Sequence, residues 1–202
     1  MRRQQRGFTL IEATISLAIA GVVMGVAVPA VTGATEAAHS GAAQAKLLAT
    51  LNRAIGHAAA TGVEVVLCPG DAAAGCKPSP DWSRGWIAFA DLDGDRQRGP
   101  ADTLLLDEGS LGGKVHLRST EGRTRLVFQP NGGNAGSNVT FTLCDGRGAA
   151  KATTLVLANN GRLRAGTPTA EAADAGDRRP LYLSGARSWT RTNDPLINSQ
   201  VL

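Results

Sequence analysis

The sequence predicts an α+β fold, with one long amino-terminal helix laid against a β-rich globule. Three observations carry that expectation. Ala13 to Val31 is an uncharged apolar stretch long enough to cross a bilayer. From Thr32 to Ala60 the chain stays Ala-rich, with apolar residues recurring at helical spacing. After Gly62 the pattern changes to short apolar runs separated by Gly, Pro, Asp and Asn.

The 202 residues set a prior of one domain with an appendage. An apolar content of 43% excludes wholesale disorder. With Phe 4, Trp 3 and Tyr 1 against Gly 25, the core must be built largely from Ala, Val and Leu. No internal repeat is visible, and a single apolar stretch excludes a polytopic membrane protein. The net charge of +4 does not by itself imply a nucleic-acid partner. Three of the 21 basic residues, Arg2, Arg3 and Arg6, precede the apolar stretch, and the remainder nearly balance the 17 acidic ones. What matters is where the charges sit.

In the helical half, Leu47, Leu48, Leu51, Ile55 and Ala59 form one stripe, while Gln44, Asn52 and Arg53 occupy other faces. That stripe is expected to pack on a sheet. Pro29 removes one backbone hydrogen bond and is expected to bend the helix. Gly62 ends it. Strands are expected near Val63–Cys68, Gly85–Asp91, Thr103–Leu106, Lys114–Arg118, Arg125–Gln129, Val139–Cys144, Thr153–Ala158 and Arg162–Arg164. Loops carry Pro69-Gly70, Pro78-Ser79-Pro80, Asn131-Gly132-Gly133-Asn134 and Asn159-Asn160-Gly161.

The amino terminus combines a basic head with a run too long for a cleaved signal, and Glu12 stands at its edge. A carboxylate costs on the order of 3 kcal/mol at bilayer depth, so it needs a partner. Gly7-Phe8-Thr9-Leu10-Ile11-Glu12 resembles the leader junction of type IV pilins and pseudopilins. The resemblance implies cleavage after Gly7 by a prepilin peptidase and N-methylation of the new terminus, Phe8. It also places Glu12 and Pro29 at the family's acidic and proline positions. In a filament core Glu12 would pair with the Phe8 amine of a neighbouring subunit, offsetting the cost of a buried carboxylate. The arginines hold the head in the cytoplasm, which puts everything after Val31 outside.

Further along, V-V-L-C-P, W-S-R-G-W-I-A-F-A-D, T-F-T-L-C-D and A-N-N-G-R-L-R resemble the GspH/FimT family of minor pseudopilins. This implies a pilin-like fold, a long helix packed on two antiparallel β-sheets, with Trp82 and Trp86 in the core. The domain organisation that follows is a leader over 1–7 and a transmembrane, filament-core helix over 8–31. A periplasmic domain then spans 32–164, and a disordered tail 165–202. The expected location is the inner membrane, single-pass, with assembly into a pilus or pseudopilus. Expected partners are other pilin subunits, prepilin peptidase, the inner membrane and DNA. The alternative is a type II secretion pseudopilin, which shares fold, processing and topology.

Gly161-Arg162-Leu163-Arg164 carries the DNA expectation. On a strand, Arg162 and Arg164 share a face about 7 Å apart, which suits successive phosphates. The motif also matches the G-R-x-R of FimT-like minor pilins, where it implies DNA contact. From Gly113 to Arg164, eight basic residues, Arg147 and Lys151 among them, face only Glu121 and Asp145. From Asp71 to Glu108, eight acidic residues outnumber four basic ones, so a globule polarised by charge is expected. No aromatic platform accompanies the arginines, which argues against base readout.

Asp91, Asp93, Asp95 and Asp102 imitate a calcium loop by spacing. Arg96 and Asp102 stand where that loop needs Gly and a bidentate Glu, so a charged hairpin tip is expected and no metal ligand is assigned. Of the three cysteines, Cys68 and Cys76 bracket a short step whose closure is easy, and Cys144 competes for either partner. No Ser/His/Asp or Cys/His arrangement is present, so no enzymatic activity, catalytic residue or cofactor is expected. Ala165 to Asp177 reads as a linker or frayed end. The final eighteen residues have no period and resemble read-through translation, although Arg178, Arg179, Arg187 and Arg191 would add nonspecific DNA attraction.

Overall fold

A single helix, α1 (Leu10–Thr61), opens the fold and runs through Pro29 without interruption. The computed structural model describes residues 9–177. At 52 residues α1 spans about 78 Å. Thr9 caps it, its hydroxyl accepting from the Glu12 N–H at 3.3 Å. Gly62 closes it in the left-handed region (φ 73°), its N–H donating to the Ala58 carbonyl. The apolar first half is not buried by any other described residue, and Leu10, Leu17, Val22, Met24 and Val26 are exposed. Contact with the globule begins at Glu36, and full burial at Ser40 continues through Ala43, Leu47, Thr50, Leu51, Ala54 and Ala58.

Nine strands follow: β1 (Val65–Asp71), β2 (Gly75–Cys76), β3 (Trp86–Ala90), β4 (Thr103–Glu108), β5 (His116–Ser119), β6 (Leu126–Phe128), β7 (Val139–Cys144), β8 (Thr153–Leu157) and β9 (Leu163–Gly166). They form two antiparallel sheets. The first has the order β2-β1-β3-β4, with β6 also paired to β1, and the second has the order β5-β7-β8-β9.

Side-chain alternation explains how one helix serves both sheets. Val65, Leu67, Trp86 and Ala88 point from the first sheet into a common core with α1. Leu117, Phe141, Leu143, Leu155 and Leu157 enter it from the second. The opposite face of the first sheet is also buried, with Val66, Cys68, Ile87, Phe89 and Val127 roofed by Cys76, Leu104 and Ala135. A Cys68–Cys76 disulfide clips that roof to β1, and Cys144 is a buried free thiol. Inside the main core the Trp86 indole N–H donates to the Thr50 hydroxyl at 3.1 Å, fastening helix to sheet.

The segment expected to be a linker is structured. β9 continues to Gly166, and a second helix, α2 (Ala170–Asp177), folds back onto the outer face of the second sheet. Its small residues make the contact. Ala173 is buried, its carbonyl accepts from the Cys144 thiol at 3.5 Å, and a Cβ on Gly176 would meet the Cys144 sulfur. Thr169 caps the helix through the Ala172 N–H. Ala and Gly make no apolar stripe, so the sequence pattern hides this element. The expected disorder of 178–202, with its four arginines, lies outside the described residues, as do Gly7 and Phe8.

Replacing Thr50 with Val leaves the Trp86 N–H buried without an acceptor. A loss of about 1–3 kcal/mol is expected, with most of it recovered by Thr50→Ser. Denaturant unfolding followed by tryptophan fluorescence measures it, and a Thr50→Val curve overlaying the wild type would contradict this role.

Candidate functional site

The β8–β9 turn is built by backbone bonds and one glycine. Ala158 N–H donates to the Arg162 carbonyl at 2.9 Å, and Gly161 N–H donates to the Ala158 carbonyl at 2.9 Å. Gly161 has φ 80°, and a Cβ there would run into the Gly132 carbonyl oxygen. The motif's glycine is thus required by sterics. The turn is also locked to the preceding Asn-Gly loop. Asn134 N–H donates to the Asn159 carbonyl, and Asn159 N–H to the Asn138 side chain at 2.9 Å.

From this anchored turn β9 runs as the outermost strand of the second sheet. Leu163 packs against the core, and Arg162 and Arg164 alternate outward and are exposed. Arg164 pairs across from Val156 on the same outer face that α2 occupies further along. Arg162, just ahead of β9, and Arg164 within it, about 7 Å apart, can contact neighbouring phosphates without reading bases.

The structure does not bring Arg147 and Lys151 to this pair. Gly146 lies against Glu36, whose carboxylate accepts its N–H at 3.3 Å, whereas Gly161 lies against Ile55. From Glu36 to Ile55 the helix rises about 28 Å. Arg147 also has a partner of its own. Its Nε and Nη2 donate to the two oxygens of Asp145 at 2.9 and 2.7 Å. Asp145 is buried. The Arg147 fork holds its carboxyl below the usual range, with help from the Ser40 hydroxyl, and Asp145 raises the Arg147 guanidinium in return. Arg147 is therefore engaged in an ion pair within the loop after β7, and its partner Asp145 meets Ser40 of α1. Lys151 ends the one-turn 3-10 helix Ala149–Lys151 ahead of β8, at the end of that strand away from the β8–β9 turn.

The acidic loop also departs from the linear reading. Carboxylate oxygens of Asp91, Asp93 and Asp95 lie within 4.8 Å of one another. Asp91 is buried, which pushes its carboxyl up, and it accepts from the Gly94 and Arg96 N–H groups. Asp102 accepts from Leu92 and Gly99. Asp107 accepts from Ala72, and Glu108 pairs with Lys46 at 2.9 Å. Most of the acidic charge between Asp71 and Glu108 is thus turned onto backbone N–H groups or onto the helix. These carboxylates hold the loops of the acid-rich stretch in place while keeping their charge.

Comparison with known proteins adds sequence and structural relatives. The family model described as type II transport protein GspH matches residues 43–161. The one described as the prokaryotic N-terminal methylation motif matches residues 2–28. No curated protein matches the chain. Among solved structures, the type IV minor pilin FimU of Pseudomonas aeruginosa is 17% identical, with 62% of this chain and 90% of that chain covered at a TM-score of 0.49. The minor pseudopilin EpsH from the Type 2 Secretion System of Vibrio cholerae is 12% identical, with 64% and 98% covered at a TM-score of 0.47.

The Asp145 carboxylate, held low in the folded state, contributes stability above the ordinary carboxylate range that is lost as pH falls through its folded value. Asp145→Asn is therefore expected to lower the melting temperature at pH 7 and to have a smaller effect below about pH 4. Equal losses at both pH values would show that the pair contributes packing alone.

Proposed function

The chain belongs to the GspH family of type II transport proteins, and from that premise we propose that it is a minor pilin of a type IV pilus that contacts DNA through β9. The observation that carries the DNA reading is the exposed Arg162–Arg164 pair at the start of an outermost strand, held by a turn in which Gly161 has no room for a side chain. Phosphate contact by such a pair is sequence-independent and salt-sensitive.

The amino-terminal half supplies assembly. Prepilin peptidase cuts after Gly7, Phe8 is methylated, and the apolar half of α1 first resides in the inner membrane with the globule in the periplasm. In the filament the exposed faces of that helix pack against other pilin subunits, and Glu12 meets the Phe8 amine of a neighbour. Glu12 sits in the first turn of α1, where its charge is also favoured by the helix dipole. The match to a methylation motif over residues 2–28 supports this processing. The subunit needs no cofactor and has no catalytic role.

The GspH description of the family favours a second reading, in which the same subunit serves a secretion pseudopilus and its globule contacts other pseudopilins. The two readings differ in whether the globule binds DNA.

Full-length protein in a non-ionic detergent is expected to retard DNA at low salt, with the shift fading toward moderate salt. Arg162→Ala/Arg164→Ala is expected to lose most of it. No shift at low salt would select the secretion reading. Mass spectrometry of the native polypeptide is expected to find methylated Phe8 as the first residue. Retention of residues 1–7 in cells with an active peptidase would sink the processing scheme.

A further inference from the structure

The four bases within the acid-rich stretch Asp71–Glu108 are Lys77, Arg84, Arg96 and Arg98, and all of them line grooves on one flank of the globule. A groove of about 370 Å³ lies between the disulfide hairpin, the loop carrying Arg96 and Arg98, and Thr124–Arg125. A second, of about 350 Å³, continues past Arg123 toward Ala135 and Gly136. Arg96, Thr124 and Arg125 line both, so the two form one trough. Its charged lining residues are Lys77, Arg96, Arg98, Arg123 and Arg125, every one basic. Beyond Lys77 a further groove adds Arg84 and Arg118 against one acid, Asp81.

Three of these guanidinium groups are anchored by carbonyls, with no carboxylate partner among the described residues. Arg98 donates to the Gly99 carbonyl, Arg123 to the Ala135 carbonyl at 3.2 Å, and Arg125 to the Arg96 carbonyl at 2.8 Å. Carbonyl oxygens position a guanidinium but leave it its full charge. The Nε atoms of Arg98 and Arg123 are buried with no hydrogen-bond partner among the described residues. A desolvated donor of this kind is costly unless an acceptor arrives. The carboxylates paired with Lys77 and Arg96, those of Asp71 and Glu64, do not line the trough.

We propose that this trough is a phosphate-binding track for a nucleic-acid strand, separate from the β9 arginines. A linear polyanion matches an elongated row of fixed positive charges. Planar forks suit phosphate oxygens, and the shared lining residues make the row continuous. A protein partner fits less well, because a stable interface needs a buried apolar or aromatic anchor. The largest apolar side chain lining the trough is the buried Val127. With no aromatic ring among the described lining residues, contact is to the backbone and not to the bases. The track ends at the 135–138 segment, where Arg123 bonds Ala135 and Asn138 holds the turn carrying Arg162. A strand leaving the track is thereby directed toward β9. The assignment extends the nucleic-acid reading of Arg162 and Arg164 but uses neither side chain.

The test is fluorescence anisotropy of a single-stranded oligonucleotide with the full-length protein in non-ionic detergent, across a salt series. Lys77→Gln/Arg125→Gln, both on the exposed rim, is expected to reduce the slope of log K against log salt by about 1.4, the value for two lost phosphate contacts. The melting temperature is expected to stay unchanged, and Lys77→Gln alone, with half the slope change, serves if the pair lowers it. If the rim variants bind as wild type while Arg162→Ala/Arg164→Ala does not, the track is overturned and the β9 reading stands. If the reverse holds, the track stands and the β9 reading falls. Wild-type protein that binds no oligonucleotide at low salt overturns both. Polyglutamate competing as well as an oligonucleotide of equal charge overturns the assignment to phosphate.

Discussion

The fold depends on a helix with little side-chain volume serving as the shared wall of two sheets. Ala43, Ala54 and Ala58 let both sheets approach α1 closely, while Leu47 and Leu51 supply the apolar contact. Close packing requires the missing bulk to come from the other side. Trp82, Trp86, Phe128 and Phe141 provide it, with Trp82 meeting Phe141 edge-on at 5.2 Å and Trp86 at 6.4 Å. Of the chain's 8 aromatic residues, these four lie fully buried in the main core. The composition is therefore poor in aromatic rings but concentrated where the helix is thin. Because the core starts only at Ser40, the first half of α1 has no packing partner among the described residues, and its apolar surface is left for lipid or a neighbouring subunit to cover.

The distribution of charge follows from how carboxylates and guanidinium groups meet the backbone. Carboxylates accept from N–H groups and so become part of loops, as Asp91, Asp102 and Asp107 do. Arginines bond carbonyls at a distance and keep their heads at the surface, as Arg125 does. A near-balanced sequence can thus present a strongly basic flank. The edge strand β9 belongs to the same logic. An unpaired strand edge invites pairing with other chains, and the exposed Arg162 and Arg164 discourage that while remaining available to a phosphate.

Much of this was legible from residues alone. Helical spacing gave α1 to within a residue or two at Gly62, and alternation between turn signals located eight of the strands. β2 was not found, because two residues carry no period. α2 was missed because its contact face is Ala173 and Gly176. Arg162 and Arg164 were readable because a strand's alternation is local. Arg147 and Lys151 were misplaced because their distance from that pair is set by the sheet and by α1, which a count along the chain does not see. The trough escaped for the same reason, since its lining comes from segments separated in sequence and from acids folded out of the way.

The covered thiol has a practical meaning for handling the protein. Cys144 sits under α2, and burial pushes its thiol up to about 11, so it is neither reachable nor ionised at neutral pH. Thiolate is the species that attacks disulfides. The last described helix therefore acts as a guard that keeps the odd sulfur from exchanging with the Cys68–Cys76 bridge or cross-linking two molecules. Trimming the chain at Ala165 would strip that guard and expose the odd sulfur to oxidative cross-linking.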